Sequence, residues 1–161
     1  MKKLIFVRHS KAEEPSLDLS DFERSLTTKG KTIATEMALK LKEKEKYVGV
    51  IISSPAFRAI ETALIFAGVF RIPSDHILMA GNIYYKLNLQ TLHEELLRVK
   101  EETDVVTLFG HNPSFTELAG ELSREGCNFM PKCGIVGISF KISTWSELSR
   151  NSGEIEYYLK P

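Results

Sequence analysis

The sequence is poor in cysteine, has no net charge and contains no long apolar run. Two cysteines, Cys127 and Cys133, stand in 161 residues. They lack the second pair that zinc spacing requires, and no His/Cys/Asp cluster elsewhere has metal-ligand spacing. We therefore expect unlinked thiols in a reducing compartment and no metal or other cofactor. Lys plus Arg and Asp plus Glu both number 21, so the formal charge is zero. Bulk electrostatics give no reason to expect nucleic acid or an anionic membrane as partner. Any positive pocket must be local. The N-terminal run Leu4-Ile5-Phe6-Val7 is stopped by Arg8 and His9, short of the roughly 7–15 apolar residues of a signal-peptide core. Nothing approaches the roughly 18 residues of a membrane span. The expectation is a cytoplasmic protein away from membranes. With no linker, repeat or low-complexity tract, 1–161 reads as a single domain.

What is present is an alternation of strand and helix patterns. Short apolar runs at Lys3–Arg8, Val48–Ile52 and Asp104–Phe109, with a weak one at Ile77–Met79, have the character of buried parallel strands. Between them lie helical patterns at Lys29–Tyr47, Ala56–Phe70, Leu89–Lys100 and Pro113–Leu122. Thr27 or Thr28 is placed to cap the first, and Ile33, Ala34, Met37, Ala38 and Leu41 make its apolar stripe. Pro55 suits the first turn of the second helix. Leu92, Leu96, Leu97 and Val99 are the inward positions of the third. Ile135–Ile142 and Glu154–Leu159 read as two closing strands. The pattern predicts an α/β protein, a three-layer α/β/α sandwich on a mainly parallel central sheet.

Ligands of such sheets bind beyond the carboxyl ends of the strands, and several polar residues fall there. Arg8-His9 leaves the first strand, Ser53-Ser54-Pro55 leads to Arg58 in the first turn of a helix, and Gly110-His111-Asn112-Pro113 leaves the Asp104–Phe109 strand. Two guanidiniums and two imidazoles converge if the sheet assembles this way. Arginine offers N–H forks that fit phosphate oxygens, and a helix N-terminus adds free N–H groups.

These segments resemble the histidine phosphatase superfamily (phosphoglycerate mutase-like), and within it the short SixA-type phosphohistidine phosphatases. Val7-Arg8-His9-Ser10 resembles the signature Arg-His-Gly, with Ser for Gly. Arg24-Ser25-Leu26-Thr27-Thr28-Lys29-Gly30 resembles Arg-Pro-Leu-Thr-x-x-Gly, with Ser for Pro. Ser53 to Ala63 resembles the segment carrying the second arginine, and Gly110-His111-Asn112-Pro113 that carrying the second histidine. The resemblance spans most of the chain and implies a phosphoglycerate mutase-like fold. It implies His9 as nucleophile, with Arg8, Arg58 and His111 holding the phosphoryl oxygens. Arg24, Lys11 and Asn112 are candidate substrate-binding residues: Lys11 is otherwise a solvated loop charge, and Asn112 a helix cap. His76 and His93 are expected at the surface, and Trp145, Tyr84 and Tyr85 as packing or rim residues.

The longer branches carry a general acid before the third helical segment, but Met79–Leu87 contains no carboxylate. No motif places Glu13, Glu14, Asp18, Asp21, Glu94 or Glu95 over a phosphate. Expelling an alkoxide gains typically 10²–10⁴-fold from proton donation, whereas a protonated phosphohistidine expels a neutral imidazole. The leading expectation is a metal-independent phosphatase acting through a phosphohistidine intermediate on phosphohistidine in a protein. The alternatives are a phosphomonoesterase for a sugar or nucleotide phosphate, and a phosphate-binding module without turnover.

Overall fold

A computed structural model describes residues 1–161. One six-stranded sheet organises the molecule, in the order β3-β2-β4-β1-β5-β6. The strands are β1 (Lys2–Arg8), β2 (Val50–Ser53), β3 (Leu78–Met79), β4 (Val105–Gly110), β5 (Ile135–Phe140) and β6 (Gly153–Leu159). β1, β2, β3 and β4 pair in parallel, while β5 joins β1, and β6 joins β5, antiparallel. The helices are α1 (Thr28–Lys44), α2 (Phe57–Phe70), α3 (Gly81–Tyr85), α4 (Leu89–Leu96) and α5 (Ser114–Leu122).

Alternation along the buried strands divides the core. In β1, Leu4 and Phe6 face the layer containing Leu92, Phe115 and Leu118, so α4 and α5 cover that side. Ile5 and Val7 face Ala34, Met37, Ala63 and Phe66 on α1 and α2. All of β1 from Leu4 to Val7 is excluded from water, which explains its unbroken apolar run. This is the three-layer sandwich that the sequence pattern predicts.

Several element limits differ from the sequence reading. Thr27 does cap α1, its Oγ1 accepting from Gly30 N–H at 3.0 Å, but the helix ends at Lys44 rather than Tyr47. Pro55 lies outside α2, whose cap is Ala56. α4 stops at Leu96, so Leu97 points outward, 81% exposed, instead of inward, while Leu92, Leu96 and Val99 are buried. His93 is half-buried, not superficial, with a ring nitrogen 2.9 Å from the Leu148 carbonyl. Trp145 is a core residue whose Nε1–H donates to the Thr103 carbonyl. No helix is long and apolar enough to cross a membrane.

Candidate active site

The strand order puts the ends of β2, β4 and β1 side by side. Register holds them level, since Arg8 pairs with Gly110 and Ser53 with Phe109. The ladder continues one step beyond the strands: His9 N–H donates to Gly110 O at 3.0 Å, and Ser54 N–H to Phe109 O at 2.9 Å. His9, Ser54 and His111 therefore emerge together at one sheet edge, where parallel sheets bind ligands. Gly110 makes the close approach possible. A Cβ there would lie 2.6 Å from both Ile83 and Phe115.

The two imidazoles stand with ring centroids 5.2 Å apart. His9 is 6% exposed. Its Nδ1 lies 2.8 Å from the Ser10 carbonyl, which can only accept, so Nδ1 carries the proton and Nε2 keeps the lone pair. Burial lowers the His9 pKa most. The Ser10 carbonyl opposes this, but His111 and the Arg58 and Arg8 charges add to it, and the result is about 3. His111 Nε2 lies 2.8 Å from Ser54 Oγ. Burial, and then the Arg58 charge, bring its pKa to about 4. Both rings are thus neutral near pH 7, as a nitrogen nucleophile must be.

Arg58, in the first turn of α2, is 6% exposed. Arg8 Nη1 donates to the Met130 carbonyl at 2.9 Å, and its guanidinium lies 5.4 Å from the Phe129 ring. Four buried side-chain nitrogen or oxygen atoms have no hydrogen-bond partner, and three belong to this cluster: Arg8 Nε, Arg58 Nε and His111 Nδ1. Buried polar atoms are normally paired, so three orphans in one cluster set it apart from the rest of the molecule.

Solved structures match the chain over nearly its whole length. A protein histidine phosphatase SixA complexed with tungstate has a TM-score of 0.82 at 21% identity, with 99% of this chain and 97% of that one covered. SixA from Agrobacterium tumefaciens has a TM-score of 0.78 at 20% identity, covering 99% and 98%. The fold is that of the SixA proteins. A mycobacterial glucosyl-3-phosphoglycerate phosphatase is more distant, with a TM-score of 0.68 at 14% identity over 96% and 97% of the two chains. No family model and no curated protein matches the sequence. The architecture is accordingly phosphoglycerate mutase-like.

On this SixA-type frame the other candidates separate. Arg24 reaches the cluster through Asp21, with Nη1 2.8 Å from Asp21 Oδ1 and Nε 2.7 Å from the Glu13 carbonyl. Lys11 lies in an adjoining groove with Arg8. The Asn112 side chain is engaged within the protein. Its Nδ2 donates to the Met130 carbonyl at 3.0 Å, and its Oδ1 accepts from the Thr116 hydroxyl and N–H. It ties α5 to the loop beneath Arg8, which is the capping role open to it in the sequence. Cys127 and Cys133 are free. Cys133 is buried beside His9, its N–H donating to the His9 carbonyl, and burial pushes its thiol pKa up to about 12.

Asp21 is the residue sequence reasoning missed. Its carbonyl accepts from Arg58 Nη1 at 2.5 Å and its Oδ2 from Arg58 Nη2 at 2.9 Å. Oδ2 also accepts from the Tyr84 hydroxyl at 3.2 Å, and the Tyr84 ring packs edge-on against His111. Partial burial raises the Asp21 pKa, but hydrogen bonds from Arg24 and Arg58 outweigh it and bring the value down to about 2. The only available signal was the three-residue spacing of Asp21 and Arg24, which carries little weight in a loop without periodicity. Ser54, Glu61 and Thr62 were also unassigned. Thr62 Oγ1 accepts from Ser10 N–H at 3.1 Å and donates to the Arg58 carbonyl at 2.7 Å. Glu61 accepts from Leu26 N–H at 2.6 Å. Together they fasten the loops after β1 to α2.

Proposed function

We propose that the chain is a member of the histidine phosphatase superfamily and a SixA-type phosphatase acting on phosphohistidine in a protein. The observation carrying this reading is the Ser10 carbonyl fixing the proton on His9 Nδ1, which leaves a neutral Nε2 between His111 and two arginines. The tungstate held by the SixA neighbour is a tetrahedral oxyanion of the phosphate type, consistent with such a pocket.

In the first step the His9 Nε2 lone pair attacks phosphorus as the P–N bond to the substrate imidazole breaks. The leaving imidazole departs neutral, because its other nitrogen already carries a proton. Arg8, Arg58 and His111 hold the non-bridging oxygens as charge moves across them. Water then attacks the phosphorus of phospho-His9, releasing inorganic phosphate and restoring the imidazole. The arginines provide the positive charge that a metal ion provides in other phosphatases.

A substrate with a weakly basic leaving group fits the acid–base inventory. Asp21, the carboxylate hydrogen-bonded to Arg58, has a pKa of about 2, so near neutral pH it holds no proton to donate. The expected result is rapid hydrolysis of phosphoramidate and of phosphohistidine peptide, slow hydrolysis of sugar and nucleotide phosphates, and no effect of a chelator. His9→Ala should reduce phosphoramidate turnover by about 10³-fold or more. A strong preference for one sugar phosphate, or turnover that survives His9→Ala, contradicts the reading. A cytoplasmic location is part of the same proposal, since reduced thiols and intracellular phosphohistidine proteins go together.

A further inference from the structure

A groove of about 750 Å³ opens beside Arg8, and every charged side chain that lines it is basic. Lys11 follows β1, Lys29 is in the first turn of α1, Lys132 precedes β5 and Lys160 follows β6. Four separate stretches of chain thus bring positive charge to one place in a protein whose formal charge is zero. None of these four lysines belongs to an ion pair, so no carboxylate side chain neutralises them where they meet. Unpaired like charges gathered on one surface oppose folding by mutual repulsion. A partner of opposite charge relieves that repulsion and gains rate and specificity from it.

We propose that this groove docks an acidic segment of the protein that presents the phosphohistidine. The proposal rests on the phosphatase reading above and names the partner chemistry of the same site. Arg8 links the two, since it belongs to the imidazole–guanidinium cluster and also lines the groove. A segment lying along Lys11, Lys29, Lys132 and Lys160 brings its neighbouring phosphoryl group to His9. Single-stranded nucleic acid is the other polyanion to consider, and it relies on open aromatic faces for stacking. Phe129 is the groove's one aromatic side chain, 67% exposed, and the Arg8 guanidinium already lies over its ring. The lining therefore favours an acidic polypeptide.

The test uses two synthetic peptides with a central phosphohistidine, flanked by glutamates in one and glutamines in the other, with phosphoramidate as the flank-free substrate. The variant is Lys29→Gln/Lys132→Gln/Lys160→Gln. These are exposed side chains that hydrogen-bond none of His9, Arg8, Arg58 or His111. In the wild type at ~10 mM salt, kcat/KM for the glutamate peptide should exceed that for the glutamine peptide roughly tenfold, mostly through KM, given about threefold or less per exposed charge pair. The preference should vanish near ~0.5 M salt. The triple variant should lose it while hydrolysing phosphoramidate within about twofold of wild type. Equal turnover of the two peptides by the wild type, or a preference that persists in the variant, overturns the proposal. Anisotropy of the labelled, unphosphorylated glutamate peptide reads docking without turnover, and the triple variant should weaken it roughly tenfold. Peptide binding by an enzyme that hydrolyses neither phosphoramidate nor phosphopeptide would sink the phosphatase reading and leave the groove standing. Tighter binding of a single-stranded oligonucleotide of equal charge would sink the groove proposal alone.

Discussion

Asp21 holds both Nη atoms of Arg58, yet its carboxylate has the same sign of charge as a phosphate. Two effects compete. The hydrogen bonds orient the guanidinium, and the anionic charge repels an incoming dianion. The Asp21 carbonyl provides one of the two contacts, so orientation does not rest on the carboxylate alone, and an amide Oδ1 can still accept. Asp21→Asn should therefore keep Arg58 in place and remove the repulsion. For a dianion at a separation on the order of 5–8 Å, through partly solvated surroundings, that is worth roughly three- to tenfold. Inhibition of phosphoramidate hydrolysis by inorganic phosphate at pH ~8, where it is the dianion, is the measurement, with a Ki lower by that factor in the variant. An unchanged or higher Ki would mean that the carboxylate serves to align Arg58 and not to weaken anion binding.

The elements carry the site because two glycines let them approach one another. At Gly30 in α1 a Cβ would sit 2.0 Å from the Lys11 carbonyl oxygen, and the Gly30 carbonyl accepts from Ser10 Oγ at 2.7 Å. Bare backbone at this point is what holds the loop after His9 against the helix, and it gives the Leu-Thr-Thr-Lys-Gly stretch a physical reason. Gly110 does the same at the end of β4. Gly110→Ala should cost about 1–3 kcal/mol of stability through overpacking against Ile83 and Phe115. It should also lower kcat by more than the folded fraction falls, because His111 is the next residue. Denaturant titration and turnover on the same preparation check both, and an alanine variant of full stability would show that the packing yields.

Much at this scale was legible in the sequence. β1 is an unbroken apolar run and β4 is broken only by Thr107, whose buried hydroxyl donates to the Val48 carbonyl; both faces of the sheet are covered, and His9 and His111 follow at the strand ends. The limits of α4 were not legible. Leu97 continues the apolar pattern, but the helix gives way to turns after Leu96 and only Val99 returns to the core. The contacts of Asp21, Arg24 and Asn112 were hidden for a different reason. Loops 10–24 and 123–134 have no periodicity. Arg24 and Asn112 reach the backbone carbonyls of Glu13 and Met130, which every residue type supplies equally, and Asp21 meets Arg58 and Tyr84, which lie far from it in sequence.

For the whole molecule, the cost of keeping two imidazoles neutral in a buried cationic pocket sets a pH dependence. His9 and His111, at about 3 and 4, lie below the ordinary 6.5, so between those values the unfolded chain binds protons that the native state refuses. The native state therefore loses stability as pH falls from 6.5 through 4 towards 3. Asp21 acts in the same direction but lower, its contribution present above 3.8 and lost as pH falls through about 2. Calorimetry should show Tm falling between pH 7 and pH 4.5, and falling less in His9→Asn/His111→Asn. Parallel curves for the two proteins would place the acid sensitivity elsewhere.

The central claim is that His9 attacks through Nε2, and trapping the phosphorylated enzyme tests it most directly. Rapid quench in base after mixing with phosphoramidate, followed by ³¹P NMR of the isolated peptide, should give one acid-labile phosphate on Nε2 of His9 and none in His9→Ala. Phosphate on Nδ1, on another residue, or on no residue during turnover would contradict the account.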